Sequence, residues 1–202
     1  MLTRRQLVAG LGSAFVSAGV VSSTAAFTAT SSSSEASFVV VYPDLIELTP
    51  VNDPPIHVEA NESGYVTAIT PGGDTGLNQR AITRFEDIVA ITNAGTVDLT
   101  GLYFEFETDS DVLDAETLAE VEAALSVTAG GQTLRTSGES GDDLLDVSAH
   151  GAADDSVLTP GESIPFGVQV DLIADHGAST RTDLPAPGDH DVTLRLVVEG
   201  DE

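Results

Sequence analysis

The chain contains no cysteine and no lysine, and each absence excludes a kind of chemistry. Without cysteine there can be no disulfide, no thiolate metal site, no thiol nucleophile and no lipid anchor on an acylated cysteine. Without lysine there can be no phosphate-cradling P-loop, no Schiff base and no Ser-Lys dyad. Tryptophan is absent too, and aromatic residues make up only 5% of the chain, which leaves few rings to stack on a sugar.

Acidic side chains dominate what is present. The 202 residues include 33 Asp and Glu against 7 basic residues, all of them arginine, which gives a formal net charge of -26. Such a charge repels the phosphates of nucleic acids and of anionic lipids, so we expect no nucleic-acid partner. Because 41% of the residues are hydrophobic and fall in regular alternation, the acid coats a folded domain. Lysine-free acidity of this kind resembles that of proteins from extremely halophilic archaea.

The first 26 residues differ in composition from the rest of the chain. No acidic residue precedes Glu35, and residues 3–8 (TRRQLV) resemble the twin-arginine export signal. The apolar stretch 7–21 is short and rich in glycine for a membrane span, and small residues typical of a cleavage site follow it. We therefore predict a signal peptide over 1–26 and an exported, extracellular or surface-associated mature chain without a stable membrane span. The alternative is a leader retained as an amino-terminal anchor.

The mature chain is predicted to contain a flexible, Ser-rich segment over 27–37 and one domain over 38–202. Three segments alternate apolar and polar residues with the period of a strand, and their apolar rows are Leu102, Phe104 and Phe106; Ile164, Phe166, Val168, Val170 and Leu172; and Val192, Leu194, Leu196 and Val198. Further strands are predicted over 38–48, 56–60, 65–70, 84–92, 125–128, 132–136 and 144–148. Asp114 is predicted to cap one short helix. This pattern favours an all-β fold, a jelly-roll or Ig-like antiparallel β-sandwich with one short inserted helix.

Two features of the chain resemble known families. Residues 76–96 (GLNQRAITRFEDIVAITNAGT) resemble the signature of an uncharacterised domain family of secreted haloarchaeal proteins. The leader, the Ser-rich segment and the strand after it are similar in layout to the TasA and camelysin group, exported surface proteins that include biofilm fibre subunits.

These resemblances imply a sandwich at the cell surface that self-associates when an amino-terminal strand of one subunit completes the sheet of the next. The donor would be residues 27–42, with the inserting side chains Phe27, Phe38, Val40 and Tyr42. The alternative is that residues 27–37 are a loose tail and that Phe38 begins an ordinary first strand of its own domain.

No enzyme motif was found. The histidines, His57, His150, His176 and His190, are far apart in sequence, and none has the spacing of a zinc site. Ser140 lies in a sequence that lacks the pattern of a nucleophile elbow. A Ser-His-Asp cluster assembled only in three dimensions is left open, since triads are not local in sequence. We therefore expect a protein without enzymatic activity and without a resident cofactor.

Two other motifs are candidates for binding or modification. Calcium binds several carboxylate oxygens at once, and a candidate calcium site is formed by Asp109, Asp111, Asp114 and Glu116. Further acidic groups are Asp142, Asp143 and Asp146, and then Asp154 and Asp155. The alternative for all three groups is the general surface acidity of a halophilic protein. Asn61-Glu62-Ser63 is a glycosylation sequon in an exported chain.

Together these features predict a non-enzymatic, secreted structural protein of the surface of a halophilic archaeon, with fibre-like or pilus-like assembly by strand addition. The alternative is an extracellular binding module for a cation or a glycan. An enzyme with a site assembled only in three dimensions is the third reading.

The charge predicts that folding depends on salt. Loss of Arg4 and Arg5 with the leader would leave 5 arginines against 33 acidic residues, a formal charge of -28. The Debye length is about 3 Å in 1 M salt and about 10 Å in 0.1 M salt, so molar salt screens the repulsion between carboxylates. We expect the mature protein to lose its folded circular dichroism signal on dialysis to low salt. A melting temperature that is equal in low and molar salt would contradict this prediction.

Overall fold

A computed structural model describes residues 33–34, 36–73, 76–147, 156–174, 176, 179–186 and 188–200. Several predictions concern residues outside this described part of the chain, namely the leader and its cleavage site, the donor residue Phe27, and the acidic group and histidine at Asp154, Asp155 and His150.

Twelve strands and one α-helix occur among the described residues. The strands of the first half are β1 (Ser33–Ser34), β2 (Phe38–Val41), β3 (Ile46–Pro50), β4 (Val58–Ala60), β5 (Val66–Ile69), β6 (Leu77–Asn78) and β7 (Ile82–Asn93). The second half contains β8 (Leu99–Asp109), α1 (Ala115–Ala123), β9 (Leu125–Ala129), β10 (Gln132–Leu134), β11 (Ser163–Asp171) and β12 (Asp191–Gly200).

Two five-stranded sheets share one hydrophobic core. The first sheet has the strand order β10-β9-β11-β7-β3 and the second has the order β4-β5-β2-β12-β8, while β1 and β6 form a separate pair. Buried residues from both sheets belong to a single cluster. Within it, the ring of Phe104 on β8 lies 5.0 Å from the ring of Phe166 on β11. The predicted all-β sandwich with one inserted helix is therefore confirmed.

The predicted alternation is confirmed in the three strands where it is longest. The apolar rows of β8 and β11 are buried, as are Val192, Leu194 and Leu196 of β12, while Val198 is partly buried. In β11 the register shifts between Phe166 and Val168. A Cβ atom on the intervening Gly167 would lie 1.8 Å from the carbonyl oxygen of Phe85, so only glycine allows the backbones to approach so closely here.

Two strand predictions and one detail of the sheet were wrong. The segment 38–48 is two strands in different sheets, because the chain turns over 42–45 and the amide of Ile46 donates to the carbonyl of Pro43 at 3.2 Å. Of the segment 144–148, the described residues 144–147 form a turn whose apolar side chains fill the core without alternating. The sheets are also not wholly antiparallel, since β2 and β12 run parallel.

The helix begins where the sequence predicts. Asp114 is its N-cap, and its carboxylate accepts a hydrogen bond from the amide of Thr117 at 2.7 Å. Val121 is the buried residue of the helix, and Leu125, two residues after the helix ends, already belongs to β9. No helix in the described part of the chain is long and apolar enough to cross a membrane.

The Ser-rich segment is described at four of its residues only. Ser33 and Ser34 pair with Asn78 and Leu77 in antiparallel register. Two residues of the segment thus have strand partners, and the flexibility predicted for residues 27–37 stays a prediction.

Candidate functional site: the seat of the second strand and the adjacent cleft

β2 lies in the middle of the second sheet and is bonded on both sides. It runs parallel to β12, with Val39, Val40 and Val41 opposite Thr193, Leu194 and Arg195. It runs antiparallel to β5, with Phe38 opposite Ile69 and Val39 opposite Ala68. β5 and β12 are thus joined in this sheet through β2, which lies between the β4-β5 hairpin and the β8-β12 pair. We call this position between β5 and β12 the seat of β2.

The inward side chains of β2 are part of the core. Phe38 is 1% exposed and Val40 is 7% exposed, and the ring of Phe38 meets the edge of Phe106 with a centroid distance of 5.6 Å. Tyr42, just after the strand, is partly buried against the same core. Of the predicted inserting residues, Phe38 and Val40 are therefore buried on a strand of their own sheet and Tyr42 packs against the same core, while Phe27 lies outside the described residues.

The outward side chains of β2 form an exposed apolar pair. Val39 and Val41 are 54% and 47% exposed. Beside them on β12, the guanidinium of Arg195 reaches the carboxylate of Glu107 on β8 at 2.7 Å. This face of the sheet is therefore apolar at its centre and ionic along one side.

The long outer edge of β8 is covered rather than open. Hydrogen bonds from neighbouring segments satisfy its backbone: Asp143 accepts from the amide of Leu102 at 2.9 Å, and the amide of Gly138 donates to Phe104 at 3.0 Å. Near the far end, Glu122 of α1 accepts from the amide of Thr108 at 2.9 Å. A covered edge cannot take up another strand.

The other edge strands are short or interrupted. β4 and β10 have three residues each, and β3 has five and ends at Pro50, which has no amide hydrogen. Short edge strands and edge prolines are common protections against unwanted strand pairing. In the described part of the chain, a strand at the central position of β2 is therefore hydrogen-bonded on both sides, whereas the edge strands offer few backbone groups to an added strand.

A cleft of about 450 Å³ lies beside the start of β2. Residues 36–39 form part of its wall, and buried side chains from α1, β9, β12 and the preceding loop form its apolar part. The polar residues that line it are Ser37, Glu59, Thr70, His190 and Asp191. The cleft therefore combines an apolar surface with two carboxylates, two hydroxyls and an imidazole.

His190 is the titratable group in this cleft with a shifted pKa. Burial lowers its pKa, the positive charge of Arg181 lowers it further, and neighbouring Asp189 and Asp191 oppose these effects. A lowered pKa keeps the imidazole neutral at pH 7. Its Nδ1 atom is buried and has no hydrogen-bond partner among the described residues. Because this nitrogen is enclosed by protein atoms, a ligand in the cleft does not reach it in this conformation.

One contact between a histidine and a carboxylate could not have been found from the sequence. Nδ1 of His176 lies 2.6 Å from Oδ2 of Asp171, which is buried at the end of β11, while the imidazole is largely exposed. The other oxygen of Asp171 accepts from the amide of Ile173 at 3.0 Å. Each contact joins Asp171 to the loop that follows it, so the pair stabilises that loop.

The candidate calcium residues do not come together as a site. Among the described residues, no group of three or more His, Cys, Asp or Glu side chains could hold a metal ion. Asp114 is engaged as the helix cap, and the hydrogen bond from the amide of Thr117 lowers its pKa. Glu116 lies in the first helical turn, where a negative charge favours the positive end of the helix dipole. Asp109 and Asp111 are exposed. A helix start therefore accounts for two of the four acids.

The second acidic group also has structural partners. The carboxylate of Asp142 binds the guanidinium of Arg135 at 2.7 Å, which lowers its pKa. Burial raises the pKa of Asp143, although its carboxylate accepts from the amides of Leu102 and Leu145. Arg84 likewise pairs with Glu86 at 2.8 Å and donates to the turn between β9 and β10. Scarce arginines thus pair with carboxylates beside the ends of strands.

The chain matches no protein-family model, no curated protein and no solved structure. The family resemblance of residues 76–96 and of the amino-terminal layout stays a prediction. Inference about function therefore rests on the geometry of β2, its seat and the adjacent cleft.

The cap at Asp114 gives a test that separates a helix start from a calcium ligand. Asp114→Ala removes the acceptor for the amide of Thr117, so we expect the melting temperature to fall by a few degrees, whereas Asp114→Asn retains the cap and stays near the wild type. Because the folded pKa of Asp114 is lowered, the stabilisation by its charge is present above the unfolded pKa. It is lost as the pH falls through the folded pKa.

Thermal melts of the two variants between pH 3 and 7 in molar KCl measure both effects. A calcium ligand would behave differently: Asp114→Asn would lose as much stability as Asp114→Ala, and added calcium would raise the melting temperature of the wild type.

Proposed function

We propose that this protein is a non-enzymatic, exported structural protein of a halophilic cell surface, and that copies associate by exchanging β2. The leader-like residues 1–26 and the acidity of the remaining chain support the location. The seat of β2, between the β4-β5 hairpin and the β8-β12 pair that it joins, is the observation on which the proposed association rests.

Exchange conserves the contacts that hold β2. A second copy would bring the same Phe38 and Val40 to the same seat, beside Phe106, Ile69 and Leu194. Because identical contacts form within one chain or between two, the balance depends on protein concentration and on the linker over 42–45, which carries the chain from one sheet to the other. A strand donated to the next copy in one direction builds a filament rather than a closed dimer.

Association through the outer edges is less favourable. The edge of β8 is covered by Asp143, Gly138 and Glu122, and β4 and β10 are only three residues long. A strand added at such an edge would form few backbone hydrogen bonds. Exchange at β2 re-forms hydrogen bonds on both sides of the strand and buries its inward side chains again.

The cleft favours a second candidate function, an extracellular binding module. Glu59 and Asp191 line the cleft with carboxylates, and the neutral His190 adds no positive charge. The carboxylates suit a positively charged organic molecule. A glycan fits less well, because Phe38 is only 1% exposed in the lining of the cleft and its ring cannot stack on a sugar. This candidate predicts a monomer with a ligand in the cleft.

A pair of engineered cysteines distinguishes exchange from a closed monomer, and the cysteine-free chain gives no background. Val39 and Ala68 are opposite one another on β2 and β5, and antiparallel partners lie within the Cα separation that a disulfide needs. We expect Val39→Cys with Ala68→Cys, oxidised in molar salt after assembly, to give a ladder of covalent multimers on a non-reducing gel. Electron microscopy of the same sample is expected to show filaments.

The control is Thr193→Cys with Glu107→Cys, which are opposite one another on β12 and β8. Neither strand leaves its own chain in the proposed exchange, so this pair should give monomers from the same filaments. A protein that stays strictly monomeric at every concentration and salt contradicts the proposal and favours the binding module. Filaments that yield only intramolecular disulfides from the first pair would show that assembly uses another surface.

A further inference from the structure

We propose that Asn61 carries an N-linked oligosaccharide at the tip of the hairpin between β4 and β5. The sequon Asn61-Glu62-Ser63 is the sequence feature, and it is the one Asn-X-Ser/Thr tripeptide of the chain. This inference does not depend on strand exchange, since it rests on the sequon and on the conformation of its turn.

The backbone presents the sequon in a defined turn. The amide of Asn61 donates to the carbonyl of Tyr65 at 2.9 Å, and the amide of Gly64 donates back to the carbonyl of Asn61 at 2.9 Å. Gly64 has a φ of +86°, a left-handed conformation that glycine adopts without strain. Residues 61–64 are all exposed. An oligosaccharide here would extend into solvent without displacing a core residue.

The side chain of Asn61 is held with its oxygen toward the turn. Oδ1 accepts hydrogen bonds from the amides of Ser63 and Tyr65 at 2.9 and 3.0 Å. The oxygen and nitrogen of a carboxamide lie on opposite sides of its carbon atom, so Nδ2 faces away from these donors. No hydrogen bond between described residues uses Nδ2. The reactive atom is therefore exposed, while the rest of the group is fixed.

The exposure in the folded state matters because of the expected route of export. A twin-arginine signal directs a chain that is already folded. The substrate of a modifying enzyme outside the membrane would then be the folded hairpin and not an extended peptide. In this fold both Asn61 and Ser63 remain accessible at the surface.

The transfer needs a glycosyl donor, which we assign to the class of lipid-phosphate-linked oligosaccharides. Nδ2 of Asn61 attacks the anomeric carbon of the sugar, and the new C–N bond forms as the bond between that carbon and the phosphate oxygen breaks. The lipid phosphate leaves with the electron pair of the broken bond, and Nδ2 loses one proton. No oxidant or reductant is needed.

Mass spectrometry of the protein purified from its natural host tests the proposal. We expect the intact mass to exceed the polypeptide mass by one oligosaccharide and fragmentation to place the addition on Asn61. Ser63→Ala should remove the addition while keeping both hydrogen bonds to Oδ1, which come from backbone amides, and Ser63→Thr should retain the addition. Asn61→Gln should also remove it.

Asn52→Gln is the matched control, because Asn52 is an exposed asparagine outside any sequon and its replacement should leave the addition in place. Equal melting temperatures of Ser63→Ala and Ser63→Thr in molar salt would show that both variants are folded. A wild-type peptide with unmodified Asn61 as its only form overturns the proposal, as does an addition that persists in Asn61→Gln or Ser63→Ala.

Discussion

β2 is hydrogen-bonded to β5 on one side and to β12 on the other, and the second sheet has no other connection between its two halves in its strand order. The four residues of β2, Phe38–Val41, therefore connect the β4-β5 hairpin to β12. The ring of Phe38 also makes an edge contact with the ring of Phe106 on β8. This one strand connects the two halves of the second sheet and forms part of the wall of the cleft, and it is the strand that the proposed exchange would transfer.

The charge of the chain sets the conditions under which this packing holds. Among the described residues, four arginines pair with carboxylates, namely Arg84, Arg135, Arg181 and Arg195. With 33 acidic residues and 5 arginines after the leader, most carboxylates have no arginine to pair with. Unpaired surface carboxylates keep copies apart in dilute buffer, and screening by salt reduces that repulsion. We therefore expect salt to favour both the folded domain and the proposed approach of a second copy.

Local patterns in the sequence predicted the parts of the fold that depend on local physics. The alternation of apolar and polar residues around Phe104 and Phe166 predicts strands, because successive side chains of a pleated strand point to opposite faces of the sheet. The division of residues 38–48 between two sheets could not be predicted, because a turn inside an apolar run has no periodicity of its own. The parallel pairing of β2 with β12 joins segments far apart in the chain. His190 and the pair of His176 with Asp171 acquire their surroundings only from tertiary packing.

The central claim is that the buried face of β2 holds the second sheet together, and two alanine substitutions on this strand test it most directly. Phe38 and Val39 are adjacent, but Phe38 is 1% exposed and Val39 is 54% exposed. In denaturant unfolding in molar KCl, we predict that Phe38→Ala lowers the free energy of unfolding by about 3–5 kcal/mol. Val39→Ala should change it by about 0.5 kcal/mol or less. Equal, small losses for the two variants would contradict the account.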